Sequence, residues 1–548
     1  MTTATPEDDP AADFVVVGAG SAGCVLALRL AEAGHTVLVV EAGGPDRHPL
    51  TRIPAGYARL LGHPRLTWGY RTEPDEGTAG RALDYPRGRV WGGCSAINGL
   101  GHARGDPSDY DGWAQKGCTG WGWDDLLPCF KRHEASEVPG DLRGASGPLP
   151  VSRLAEVPPV VARMVEAARA VGLPVNEDMN GPRREGVALF QQTRRGRARV
   201  SAARAFLRPA LATGRVRVVS HALAERVVLE GGRAVGVAYR RGGEARVARA
   251  RREVALAAGA VGSPHLLMLS GIGPGAHLAA HGIAVARDLP GVGADLQDHF
   301  VVRLTYRLSD HRWSANRRVA WPRLGWEVAR WLARGDGVLT WSPGMLGLFA
   351  RTREGLEAPD VQMNAGPLSW EGGRIGVPEA EPGLTLGVWA CRPESRGSVT
   401  LASARPGDAP RIAPRFLATR GDREATLRGL RLARRWMAAP PLAGVVVGEA
   451  RPGPGAESDD DLLAFARGTG GTVYHPCGTV RMGREGSGAP LDARLRVRGV
   501  AGLRVADASV FPDIPVSNIN ATVLAVAERA SDLVAEDARQ ATSATGSP

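Results

Sequence analysis

Residues 471–483 read GTVYHPCGTVRMG and set His475, Pro476 and Cys477 side by side in a glycine-bracketed stretch. A histidine there can ligate a metal, assist a nucleophilic Cys477, or take a proton as a base. A metal needs three or four converging ligands, and no HxxxH or CxxC spacing accompanies this histidine. A cysteine nucleophile needs a depressed thiol pKa. A merely packed ring is the remaining reading, and the stretch alone leaves these open. A second set of residues at telling spacing is Gly18-x-Gly20-x-x-Gly23, with Glu41 placed 23 residues after Gly18. The first glycine permits a tight turn, the second lets backbone approach a pyrophosphate, and the third allows close helix–strand packing. Ser21 opens the helix at whose N-terminus the pyrophosphate would sit. The Glu41 carboxylate can accept hydrogen bonds from a ribose diol and would repel a 2′-phosphate.

These residues need particular elements to hold them. DFVVV reads as a buried strand, SAGCVLALRLAEAG has helical apolar spacing, and HTVLVVEAG is a second buried strand, so residues 13–43 form a βαβ unit. In that setting the glycine motif predicts dinucleotide binding. Further on, REVALAAGAVGSPHLLMLSGIG (252–273) reads as strand, small-residue turn and helix. LRVADASVFP (503–512) reads as another buried strand ending in Asp507, and TVLAVAERASDLVAE follows as a helix. Strands suited to one doubly wound sheet are therefore scattered from residue 13 to about 507, and the chain leaves the nucleotide domain and returns to it.

Bulk properties bound the rest. A chain of 548 residues suggests two to four domains. With 43% apolar and 23% charged residues it reads as an ordinary soluble globular protein. No secretory signal and no run of roughly 20 apolar residues is visible, so no membrane span is expected. Six sparse cysteines suggest free thiols and a cytoplasmic location. The net charge is +11, and among 68 basic residues only Lys116 and Lys131 are lysine. The runs RRGRAR (194–199) and RRGGEARVARARRE (240–253) lack interleaved aromatics; they read as solvated surface and not as a nucleic-acid site. The polar ends, 1–11 and 536–548, read as flexible tails.

The ordered motifs GAGSAG with Glu41, GRVWGGCSAIN (88–98), GAVGSPHLLMLSGIG (259–273), LPGVGADLQDH (289–299), RPESRGSVTL (392–401), YHPCGTVRMG (474–483) and VADASVFPDIPVSNINAT (505–522) resemble those of the glucose–methanol–choline (GMC) family of FAD-dependent oxidoreductases. The likeness covers about residues 12 to 533. It implies an α/β chain (α+β overall): a doubly wound, Rossmann-type FAD domain carrying an inserted substrate domain with an antiparallel sheet. The implied regions are 12–300 for FAD, 301–486 for substrate and 487–533 for the return to the FAD domain. Matched position by position, Gly18, Gly20, Gly23 and Glu41 hold the ADP half. Arg89, Gly92, Gly93, Asn98 and Gly99 run beside the isoalloxazine and pyrophosphate. Ala224 contacts adenine, Asp507 and Ala508 lie near the ribityl–pyrophosphate, and Asn520 and Thr522 approach the pyrimidine end. Ile97 stands where some relatives carry a histidine bonded to FAD, so the resemblance implies non-covalent flavin. Asp295 stands where Asn is usual and His102 where an aromatic is usual; His102 is expected to be a packed neutral ring. Arg392 is expected to be structural, with a substrate-carboxylate anchor as its functional alternative.

The resemblance implies that His475 is the base that removes the hydroxyl proton of an alcohol while hydride passes to flavin N5, and that Asn518 holds the substrate oxygen beside it. Electrons then go to O2 or to a quinone-type acceptor. Val473 and Tyr474 are expected to line the cavity, with Trp68, Trp341 and Phe511 as further candidates. An FAD-containing lyase of the hydroxynitrile type and a flavin photodecarboxylase are the alternatives. YHP with a His–Asn pair leans toward the small-alcohol and choline-like bacterial branch, yet no cluster of acids in the sequence marks a cationic pocket.

Overall fold

The computed structural model describes residues 10–373 and 375–545. The strand Ala11–Val17, the helix Ser21–Glu32 and the strand Val37–Glu41 form the βαβ unit, with Val15 opposite Leu38 in parallel register. Both strands are runs of Val, Leu and Phe because both of their faces are covered. Val216–Ser220 continues the sheet on one side and Glu244–Leu256 on the other, both parallel. The far end of Glu244–Leu256 takes Leu503–Val505 as a parallel neighbour, and its near end carries the antiparallel strands Arg233–Arg241 and Ala222–Glu230. The helix Asn520–Thr545 lies on Ser21–Glu32, pinned where Arg29 donates to Glu528 at 2.7 and 2.8 Å.

A second seven-stranded sheet is antiparallel and runs in the order Val446–Arg451, Phe300–Leu308, Gly383–Ala390, Val361–Gly366, Leu346–Ala350, Gly186–Leu189, with Gly471–Thr472 paired beside Phe300 and Val301. Period-two alternation gives it two unlike faces. Val302, Leu304, Leu384, Leu386, Met363 and Leu348 point into a core shared with the helices Pro159–Ala170 and Arg420–Met437. The other face presents Val301, Arg303, Gln362, Asn364, Thr385 and Trp389, and it looks toward the first sheet.

Several expectations need correction. The segment 536–548 is helical through Thr545, because its Ala, Glu, Arg and Gln residues favour helix after the apolar period has faded. At the other end, the first strand already includes Ala11; residues 1–9 lie outside the described residues. The run at 194–199 is not solvated surface throughout. Arg194 and Arg199 are buried in a small hairpin, and Arg199 donates to Asn98 Oδ1 at 2.8 Å. In the second run Arg240, Arg246, Arg249 and Arg251 are exposed and paired with Glu225, Glu244, Glu230 and Asp13.

Candidate functional site

A cavity of about 960 Å³ opens between the two sheets. Its floor is the turn after the first strand. Gly18 has φ +99°, a conformation glycine adopts without strain. A Cβ on Gly23 would stand 1.9 Å from Gly18 O, so the helix meets the strand as closely as backbone allows. Gly20 caps the helix without a side-chain hydrogen bond, which leaves the first-turn N–H groups for an anionic ligand. Gly92 (φ +87°) donates its N–H to Ala19 O, and Gly93 rests on Gly20 so closely that a Cβ would come within 2.8 Å of its Cα. Glu41 accepts from the backbone of Ala19 (2.8 Å) and Gly43 (2.6 Å). Burial pushes its pKa up, and those two amides pull it back. Ser21 Oγ donates to Asn520 Oδ1 at 2.7 Å, which joins the N-termini of two helices at the cavity wall. Asp507 accepts from Gly259 N and Ser263 Oγ at 2.8 and 2.5 Å and is likewise raised by burial.

At the other end of the cavity the loop carrying His475 is laced to residues 295–299. Gln297 and Cys477 exchange both backbone hydrogen bonds at 3.0 Å. The His475 N–H donates to Asp298 Oδ1 at 2.8 Å, while Asp298 Oδ2 accepts from Tyr85 (2.7 Å) and Thr472 (2.6 Å). Tyr474 is held at φ +69°, uncommon for a non-glycine residue, and the next residue is the histidine.

This lacing brings His299 Nδ1 to 2.9 Å from His475 Nδ1. The hydrogen-bond chain then assigns both tautomers. His299 Nε2 lies 2.8 Å from Cys391 O, which can only accept, so Nε2 carries the proton and Nδ1 is bare. His475 therefore donates from Nδ1, and its bare Nε2 faces Asn518 Nδ2 at 3.2 Å. Asn518 is oriented in turn by Gln362, whose Nε2 donates to Asn518 Oδ1 at 3.3 Å. Burial, reinforced by His299 and Arg87, holds the His475 pKa well below the usual histidine value. Burial brings His299 down to about 4. Both rings are neutral near pH 7, and His475 Nε2 carries no proton and accepts from Asn518 Nδ2 at the cavity wall.

Of the residues singled out in the sequence, Gly18, Gly20, Ser21, Glu41, Arg89, Gly93, Asn98, Gly99, Ala224, Asp507, Ala508, Asn518, Asn520 and His475 line this one cavity, as do Trp68, Ile97, Trp341, Val473 and Tyr474. Gly23 and Gly92 stand behind the lining and shape it. Thr522 does not reach it: its hydroxyl bonds Tyr110 at 2.8 Å, because it falls on the inner side of its helix. Phe511 is also away from it, packed on Trp113. Arg392 pairs with Asp109 at 2.7 Å outside the cavity. His102 is buried against Glu134 at 3.1 Å, and with His133 these form, among the described residues, the cluster nearest to a metal-ligand set. Arg104 and Arg143 already occupy the Glu134 carboxylate, as suits an ion-pair core. Asp295 takes φ +55°, which Asp tolerates, and pairs with Arg481. Cys477 is fully buried with its thiol pKa pushed up, the reverse of a nucleophile's needs. His299, Asp298, Gln362, Asn364 and Arg303 escaped the sequence reading. The alternation in VQMNAG, with Gln362 and Asn364 against Val361, Met363 and Ala365, was the available signal for two of them.

Comparison with known proteins places the chain among relatives. Two family profiles described as GMC oxidoreductase match residues 12–301 and 393–527. The chain is 40% identical over 530 residues to an oxygen-dependent choline dehydrogenase of Rhizobium johnstonii, covering 95% of each chain. Among solved structures it is similar to pyridoxine 4-oxidase from Mesorbium loti, with a TM-score of 0.86, 33% identity, and 95% and 98% of the two chains covered. It is also similar to a formate oxidase of Aspergillus oryzae, with a TM-score of 0.91, 27% identity, and 98% and 100% covered.

Proposed function

Because this chain belongs to the GMC oxidoreductase family, we propose that FAD and an alcohol meet in the cavity between its two sheets, with His475 as the base. The protein is an FAD-dependent oxidoreductase acting on alcohols. The residues present fit the cofactor: an uncapped helix N-terminus for a pyrophosphate, a carboxylate for a ribose, and a glycine cradle that any Cβ would fill. Gly18, Gly20, Ser21, Glu41, Arg89, Gly93, Asn98, Ala224, Asp507, Ala508 and Asn520 would hold it. Ile97 offers no nucleophile for a covalent link, so FAD binds non-covalently.

When bound, FAD supplies the hydride acceptor, at N5. The chain supplies the proton acceptor. The substrate hydroxyl donates to His475 Nε2, and Asn518 Nδ2 donates to the same oxygen as it gains negative charge. Gln362 keeps the Asn518 amide nitrogen on that side. His299 keeps the proton of His475 on Nδ1, so Nε2 is always the atom offered. The buried Val, Trp and Tyr walls exclude water from the alkoxide. The product is an aldehyde or ketone, and the electrons go to O2 or to a quinone-type acceptor. The free cysteines fit a reducing compartment, and the cytoplasm is the proposed location.

The observation that carries this reading is the bare Nε2 of a neutral His475 facing Asn518 inside the cavity. The experiment is anaerobic stopped-flow reduction of the flavin by alcohols. His475→Ala is expected to lower the reduction rate by about 10²–10⁴-fold while FAD stays bound. Asn518→Ala is expected to cost about tenfold, the worth of one hydrogen bond to a developing charge. A near-normal rate in His475→Ala would end the assignment, and admitting air after reduction separates oxidase from dehydrogenase.

A further inference from the structure

The substrate half of the cavity contains a cation with no acidic partner. Arg303 lies on the cavity face of the Phe300–Leu308 strand. Among the described residues no carboxylate pairs with it; burial lowers its pKa, and only the Tyr474 phenol acts the other way. Neighbouring arginines are not in this position. Arg307, four residues on, pairs with Glu379, and Arg87 donates to the carbonyls of Pro86 and Tyr474. Among the described residues the wall around Arg303 has no acid either. Val301, Asn364, Thr385, Trp389 and Tyr474 are its neighbours there, and the carboxylates that line the cavity, Glu41, Asp408 and Asp507, belong to the opposite sheet's turns and to the 400–410 loop.

The strand register adds a second donor. Arg303 stands opposite Gly387, and Gly387 stands opposite Asn364 on the next strand. Asn364 Oδ1 accepts from Gln362 at 3.3 Å, and its amide nitrogen has no protein partner among the described residues. Gly387 has no side chain, and a Cβ there would meet Val301 at 3.1 Å. The row Arg303–Gly387–Asn364 is therefore a notch with a guanidinium on one side and an amide N–H on the other. The next row along the strands is Val301, Trp389 and Gln362, and Gln362 is the residue that orients Asn518 beside His475. One side-chain repeat along a strand is about 7 Å.

We propose that the Arg303–Gly387–Asn364 notch binds an anionic group of the substrate, so that this oxidoreductase acts on alcohols bearing a carboxylate or phosphate away from the carbinol, and not on quaternary ammonium alcohols. The inference rests on the alcohol-oxidation reading for the identity of the bound molecule, and on the unpaired donors for its charge. A guanidinium recognises a carboxylate or phosphate with two parallel hydrogen bonds, and a dry wall strengthens the pairing. A cation placed there would meet Arg303 and find no acid to offset it.

The test uses the FAD-loaded enzyme and three alcohols of one shape: 4-(hydroxymethyl)benzoate, 4-(hydroxymethyl)benzamide and 4-(hydroxymethyl)benzyltrimethylammonium. The expected order of apparent Kd in flavin reduction is carboxylate tightest, by about tenfold over the amide, with the cation weakest. Arg303→Gln should remove the preference for the carboxylate with FAD still bound. Arg303→Lys should keep part of it, and Asn364→Ala should weaken it by a smaller factor. Benzyl phosphate bearing a para-hydroxymethyl group, run beside the benzoate, decides which anion fits the notch better. Binding of 4-methylbenzoate, which cannot be oxidised, is read separately from the shift it causes in the flavin spectrum. If 4-methylbenzoate binds through Arg303 while no alcohol bleaches the flavin, the anion site stands and the oxidation reading falls. The proposal is overturned if the cationic alcohol is preferred, if the preference survives Arg303→Gln, if 4-methylbenzoate does not bind, or if Arg303→Gln and Arg303→Lys both lose FAD.

Discussion

At the scale of residues, the site is a proton path with a fixed direction. Cys391 O, His299 and His475 form a chain in which each donor has one acceptor, and it ends at the unprotonated His475 Nε2, which accepts from Asn518. In the proposed mechanism that atom acts unprotonated. Because the His475 pKa is lowered, the flavin-reduction rate at saturating alcohol should be flat through pH 6.5 and fall about tenfold per unit only beneath the lowered pKa. A measured limb centred at or above 6.5 would contradict the buried, neutral ring. His299→Leu removes the acceptor for the Nδ1 proton and should cost about tenfold or more in reduction rate, with the acidic limb displaced; His299→Asn, whose carbonyl can still accept, should recover part of both. That His475 and Asn518 share a cavity was legible in the sequence, because each sits in a short recognisable motif. His299, Gln362 and Arg303 were not legible there, because the strand register alone sets them beside residues from 84 to 176 positions away.

At the scale of elements, the βαβ unit was readable end to end: continuous apolar strands, helical spacing and a glycine turn all agree. The terminal helix was read short because its last turns keep helix-forming residues but lose their apolar stripe. Thr522 falls behind the cavity lining for a related reason, since a motif gives a position on a helix but not the side it faces. The contact of Ser21–Glu32 with the first strand admits no side chain at residue 23. Gly23→Ala would drive a methyl carbon against Gly18 O, and backbone there cannot yield as a flexible side chain would. The expected outcome is a protein purified without flavin colour and destabilised by about 3 kcal/mol or more. The flavin absorbance ratio and a thermal melt check it. A yellow, wild-type-stable variant would show that this crossing can open.

At the scale of the whole molecule, buried histidines make stability depend on pH in a window that can be stated. His265 and His299 are held at about 4 by burial, against about 6.5 in an unfolded chain. Both are neutral in the two states above pH 6.5, so nothing is lost there. Below 6.5 the unfolded chain takes up protons that the folded chain refuses, and stability falls until pH 4, by roughly 3 kcal/mol for each. Glu134 has the opposite chemistry and a lower window: its carboxylate is held down by His102, Arg104 and Arg143, so its contribution is lost only beneath the ordinary carboxylate pKa. Tm measured from pH 8 to 4 should therefore be level at first and then drop steeply below 6.5. His265→Leu should flatten part of that slope, and an unchanged slope would remove His265 from the account.

The last strand of the nucleotide-side sheet, Leu503–Val505, joins a neighbour some 250 positions upstream, and the helix behind it packs on the first helix of the chain. During synthesis the ribosome therefore releases the glycine turn first and the residues that finish its pocket last. Until then the nascent chain carries an unpaired sheet edge and an open groove where the cofactor belongs. Flavin capture is therefore expected late in biogenesis, and a chain stopped before residue 503 is expected to be long, to carry most of the fold's residues, and to be purified colourless.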